Sequence, residues 1–86
     1  MTDKERIKIL EKVKKRIEIG DEDFICNAIN NVIRCWSYSN MFELFPEMEK
    51  HKPKGALLNL CWFPAGKIKP RIKVLNSMIT EIKSKQ

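Results

Sequence analysis

The sequence predicts an all-α fold: a small compact bundle of about four helices in a single domain, residues 1–86. Three observations carry the prediction. Residues 24–36 form a wide apolar helical face, the opening segment carries helix signals at both ends, and the closing segment repeats apolar residues at spacings of three and four. Phe24, Ala28, Val32 and Trp36 recur every four residues, with Ile25, Ile29 and Ile33 in a second row beside them. Two adjacent rows make one broad apolar face on a helix. Asn27, Asn30, Asn31 and Arg34 supply the narrower polar side. So broad a face marks the helix that others pack against, and a helix over about 22–36 is expected at the centre.

The first helix is expected to start at Thr2, because Thr2 and Glu5 match a capping box. Ile7, Leu10, Val13 and Ile17 line one side, with Ile9 beside them. Lys4, Lys8, Lys12 and Lys15 run along another side and read as a solvated face; Glu11 can meet Lys15 one turn later. Gly20 ends the helix, since glycine takes the left-handed conformation without steric cost. Asp21 is a good N-cap for the central helix, and Glu22 and Asp23 suit its first turn. The short connection implies an antiparallel hairpin.

Residues 37–40 read as a loop. Pro46 then divides an irregular helical segment into turns at 41–45 and 46–50. Met41, Phe42, Leu44, Phe45 and Met48 are expected to cover the core. Residues 51–55 form a basic linker. Residues 56–63, between proline-containing breaks, fit a buried strand or a short helix; helix is preferred because a lone strand would lack a partner in this chain. The last helix should open at or near Pro70, with Ile72, Leu75, Ile79 and Ile82 as its seam and Val74 and Met78 flanking it.

With 43% hydrophobic and 33% charged residues, the composition is that of an ordinary globular domain. A chain of 86 residues buries only about 60–65% of its unfolded surface, which makes a homo-oligomer a live expectation. The N-terminus has no apolar signal-peptide run. The longest uncharged stretch, 55–66, is far shorter than the roughly 20 residues a membrane helix needs. The expectation is a cytoplasmic protein with no membrane association. Cys26, Cys35 and Cys61 then read as buried thiols.

The net charge of +6 is unevenly spread. Residues 1–49 hold eight Lys/Arg and ten Asp/Glu, a net −2, whereas residues 50–86 hold nine Lys/Arg against Glu81 alone, a net +8. That asymmetry fits either an anionic partner or a solvated basic face.

Catalysis is not expected. His51, the only histidine, has no nucleophile or orienting carboxylate near it in sequence. No cofactor motif is present. Cys26, Cys35, His51 and Cys61 have the right kinds of atoms for zinc. Yet Cys26 and Cys35, nine residues apart on one helix, would point to opposite sides, so no metal site is expected. The candidate ligand site is Trp62, Lys67, Lys69, Arg71 and Lys73, around the start of the last helix. A helix N-terminus with Lys and Arg suits phosphate, and an aromatic ring can stack on a base. The structural alternative for Trp62 and Phe63 is a place in the core.

Several segments taken together resemble short uncharacterised proteins of bacteriophages and prophages. They are residues 18–28, Leu44-Phe45-Pro46-Glu47, Lys52-Pro53-Lys54, Trp62-Phe63-Pro64 and Pro70-Arg71-Ile72 with Leu75. The spaced match runs from about residue 9 to 82. It carries no catalytic motif, and so transfers no functional residue. The resemblance implies expression in the cytoplasm of an infected bacterium, where such proteins often act by binding. The expected function is a non-catalytic phage accessory protein that counters host defence by holding a phosphate-bearing cyclic nucleotide. The alternatives are a module that blocks a host protein and, less favoured, a nucleic-acid binder.

Overall fold

In the computed structural model, which describes residues 1–20, 25–34, 38–51 and 68–85 (backbone alone at 38 and 39), the described residues form five helices. The fold is all-α, as expected. The first helix, α1, spans Asp3–Glu18. Its capping box is complete: the Glu5 N–H donates to the Thr2 hydroxyl oxygen at 3.1 Å, and the Thr2 N–H donates to the Glu5 carboxylate at 3.4 Å. Its C-terminal carbonyls accept from Ile19 and Gly20. Gly20 sits at φ 84°, and a Cβ placed there would meet nothing within 4 Å. The backbone conformation, not crowding, is what asks for glycine.

Helix α2 spans Ile25–Ile33, shorter than the 22–36 expected. Arg34 adopts φ 55°, a left-handed value that ends the helix. Residues 21–24 and 35–37 lie outside the described residues, and with them the Asp21 cap. Ile25, Ala28 and Ile29 are fully buried, while Val32 and Ile33 pack against the core from its edge.

Helix α3 spans Tyr38–Leu44 and begins where a loop was expected. The break at Pro46 is where the sequence places it. Helix α4, Glu47–His51, starts afresh behind it, with the Met48 N–H donating to the Phe45 carbonyl at 3.0 Å. Met41, Phe45 and Met48 are completely buried. The segment 52–67, including the preferred helix at 56–63, lies outside the described residues.

The last helix, α5, spans Ile68–Ser84, so Pro70 is its third residue. A first-turn N–H has no intrahelical partner, and proline fits there without loss. The buried row is Arg71, Leu75, Met78 and Ile82, with Ile79 beside it. Leu75, Ile79 and Ile82 of the expected seam are buried, but the helix is turned slightly, leaving Ile72 half-buried and the flanking Met78 wholly inside.

Helix α1 packs against both α5 and α2, α4 packs on α5, and α3 bridges α2 to α4. Leu10, Val13 and Ile17 of α1 meet the inward rows of α2 and α5 in one apolar cluster. The Cα radius of gyration, 11.7 Å, is that of a chain this long packed as one body, about 12 Å. Among the described residues no helix is long and apolar enough to cross a membrane.

One polar contact lies inside this apolar frame. Arg6 stands one turn before Leu10 on the buried row of α1 and is 9% exposed. Its guanidinium donates to both oxygens of Glu47, at 2.8 and 2.9 Å, and to the Leu44 carbonyl at 3.2 Å. The guanidinium carbon also lies 5.9 Å from the Phe45 ring centroid, within cation–π range. Lys85, just past α5, adds a third donor to Glu47 at 3.1 Å. Removing one partner of such a pair strands a buried charge, whereas replacing both with apolar groups does not. Asp3 lies 3.3 Å from the same guanidinium and is half in solvent, so it offsets only part of the loss. Glu47→Ala should therefore lower unfolding stability by up to about 3–5 kcal/mol. The double variant Arg6→Met/Glu47→Leu should recover most of that loss. Urea unfolding of the three proteins measures both effects.

Candidate functional site

A groove of about 820 Å³ runs along the outer face of α5. Lys69, Ile72, Lys73, Ser77 and Ser84 of α5 line it, together with Lys50 and His51 of α4 and the carboxylates of Glu18 and Glu81. Residues 69, 73, 76, 77 and 80 share a helical face because they recur at three and four. Lys69 and Lys73 are exposed, one turn apart. Among the described residues neither has a carboxylate within ion-pair distance.

The structure divides the sequence-predicted ligand set. Lys69 and Lys73 fall on the groove together. Arg71 does not join them: it is 1% exposed, on the row that begins one turn before Leu75. Two residues along a helix is roughly 200° of rotation, so 69 and 71 face opposite ways. Arg71 belongs to the inside of the bundle and not to a solvent-facing anion site. Trp62 and Lys67 lie outside the described residues.

The second half's cations are not all available. Lys50 is bonded to Glu81 and Lys85 to Glu47, while Lys69, Lys73 and Lys83 are exposed without an ion pair among the described residues. Lys52, Lys54 and Lys67 lie outside those residues.

Part of the groove lining is a three-residue cluster that sequence reasoning missed. The Lys50 ammonium donates to one Glu81 oxygen at 2.9 Å, and His51 Nε2 lies 2.7 Å from the other. The imidazole is charged only when protonated, and its role as donor or acceptor follows its tautomer. Folding thus gives His51 a carboxylate from thirty positions along the chain. The local clue was Lys50-His51 in the last turn of a helix opposite the lone acid of the second half. The groove serines are engaged elsewhere: Ser77 donates to the Lys73 carbonyl at 3.0 Å, and Ser84 to the Glu81 carbonyl at 2.7 Å. The buried Arg6–Glu47 pair was also missed. Position 6 extends the 10, 13, 17 row one turn backwards, and that spacing was the available signal.

Two further expectations need correction. Lys15 and Glu11 form no ion pair among the described residues, although their spacing permits one. The opposition of Cys26 and Cys35 on one helix does not hold either, since α2 stops at Ile33. Cys26 is buried, at 1% exposure. Among the described residues no three His, Cys, Asp or Glu side chains are grouped to hold a metal ion. Cys35 and Cys61 lie outside them.

No protein-family model matches the chain, and no curated protein or solved structure matches it.

The Glu81 carboxyl is held below its ordinary value near 4.5, chiefly by the hydrogen bond from Lys50 and further by His51, against the opposing effect of burial. A carboxyl whose folded pKa is depressed stabilises the fold above the ordinary carboxylate range. It loses that contribution as pH falls through the depressed value. Glu81→Gln should flatten the decline in melting temperature between about pH 5 and pH 3. In Lys50→Ala the Glu81 titration midpoint, followed by carboxyl-carbon NMR, should move back up towards 4.5.

Proposed function

We propose that the chain is a non-catalytic accessory protein of a bacteriophage that binds a phosphate-bearing cyclic nucleotide used in host defence. Lys69 and Lys73 on the α5 groove are its phosphate contacts. The observation that supports this reading is their placement: two exposed ammonium groups one turn apart, unpaired among the described residues, on the wall of a groove of about 820 Å³. That volume lies within the range of small-molecule sites, about 300–1,000 Å³. Lys–phosphate contacts are charge-assisted and stronger than neutral hydrogen bonds. Ile72, half-buried on the same wall, offers apolar contact to a base or ribose. Trp62 is the proposed stacking ring. Lys50 is a lesser contributor, because Glu81 already neutralises it.

A second reading, docking of a host protein in the same groove, is favoured by one feature. Ile68 is 38% exposed at the groove's mouth, an apolar side chain suited to a protein contact.

Calorimetric titration with cyclic di- and trinucleotides separates the two. The nucleotide reading expects binding that weakens at least tenfold in Lys69→Ala/Lys73→Ala. Absence of heat at high micromolar nucleotide sinks it. The docking reading instead expects a host protein to co-purify and to be lost on Ile68→Asp.

A further inference from the structure

A second hollow, of about 420 Å³, lies between α1 and the end of α2. Lys12, Lys15 and Arg16 line one side and Arg34 the other, over apolar contacts from Ile19 and Val32. Among the described residues, no carboxylate lines it and none of the four cations forms an ion pair. This charge is invisible in the totals, because the half of the chain that carries it has a net charge of −2.

Helical geometry explains the separation. Positions 12, 15, 16 and 19 lie within about 100° of one another around α1, whereas 11 and 18 fall outside that arc. Glu11 and Glu18 accordingly line other depressions of the surface, one of which Lys15 also borders. Compensation of helix dipoles does not account for the cluster. Each helix C-terminus carries only about half a negative charge. The last carbonyls of α1 already accept from Ile19 and Gly20. Among the described residues, four unit charges stand against two half charges, a large positive excess.

Two unfavourable features therefore coincide. Four like charges converge, and one of them, Arg34, is held at φ 55°, a conformation that costs a residue with a side chain. Strain of this kind gathers where a ligand is gripped.

We infer that this hollow binds an oligophosphate, a run of two or three linked phosphates. Arg16 and Arg34 each present a planar fork to phosphate oxygens, and Lys12 and Lys15 act as point charges. Ile19, 63% exposed, and Val32 form an apolar floor beside them that suits a nucleoside attached to the chain of phosphates. The site is separate from the α5 groove and does not depend on a cyclic nucleotide binding there.

The test is calorimetry on the full chain at about 50 mM salt, where phosphate contacts are weakly screened. The probes are inorganic triphosphate, adenosine triphosphate and, as a competitor, a short single-stranded oligonucleotide. The expected result is binding of the two triphosphates. Tighter binding of the nucleotide assigns the apolar floor to a nucleoside, and equal binding assigns the site to the phosphate chain alone. Lys12→Gln/Arg16→Gln and Arg34→Gly should each weaken binding at least tenfold. Lys69→Ala/Lys73→Ala should leave it unchanged. Arg34→Gly also guards against misfolding as an explanation: glycine suits φ 55°, so this variant should melt no lower than the parent while losing affinity. No binding of either triphosphate overturns the inference, as does binding that both hollow variants retain. At least tenfold preference for an oligonucleotide over triphosphate overturns it in favour of nucleic acid.

Discussion

A single carboxylate, Glu47, fixes how the helices meet. It accepts two hydrogen bonds from Arg6 on α1 and one from Lys85 just past α5, and it opens α4. Its side chain is only 2% exposed. A buried carboxylate left unpaired is costly, so any packing that separates these three elements is penalised. The planar fork-to-fork geometry adds direction, because both Arg6 nitrogens must face both Glu47 oxygens. Apolar burial holds the helices together without directing them. The ion pair selects which turn of α1 lies beside α4. Pro46 contributes by ending α3, so that a new helix can start with Glu47 in its first turn, where the dipole favours an acid.

What the sequence made legible is what local chemistry decides. The Thr2–Glu5 box, the Gly20 stop and the Pro46 break depend on residues within a few positions of one another, and each appears in the fold. The apolar rows of α1 were equally plain, because Ile7, Leu10, Val13 and Ile17 have no competing face. What escaped was decided at a distance. Arginines occupy the first position of both long buried rows, Arg6 before Leu10 and Arg71 before Leu75. A reading that assigns charged residues to the surface places both outside. For Arg6 the guanidinium finds Glu47, forty-one positions away, and only the folded chain brings them together. The rotation of α5 from a 72/75/79/82 seam to a 71/75/78/82 row has the same origin. With apolar residues on both rows, the sequence left two faces of nearly equal merit.

The end of α2 shows a different limit. The apolar pattern runs on to Trp36, and nothing in composition marks Arg34 as a stop. Left-handed backbone is read from sequence chiefly through glycine or asparagine. An arginine in that conformation gives no warning, and every inference that assumed one continuous helix through Cys35 fails with it.

Charge reverses most sharply between sequence and structure. Summed along the chain, the first half is net acidic and the second strongly basic. Folding redistributes both. In the second half Lys50 and Lys85 are absorbed by Glu81 and Glu47, and Arg71 turns inward. In the first half, acids and bases adjacent in sequence separate by angle around α1, leaving Lys12, Lys15 and Arg16 beside Arg34. A helix advances about 100° per residue, so neighbours in sequence face different solvent. The Debye length at physiological salt is about 8 Å, less than the helix diameter of about 10–12 Å. An acid across the helix is therefore largely screened from a ligand on the near side. The field a small anion meets is set by residues that share an angle and not by those that share a stretch of chain, and a basic surface can arise in a half of the protein whose total charge is negative.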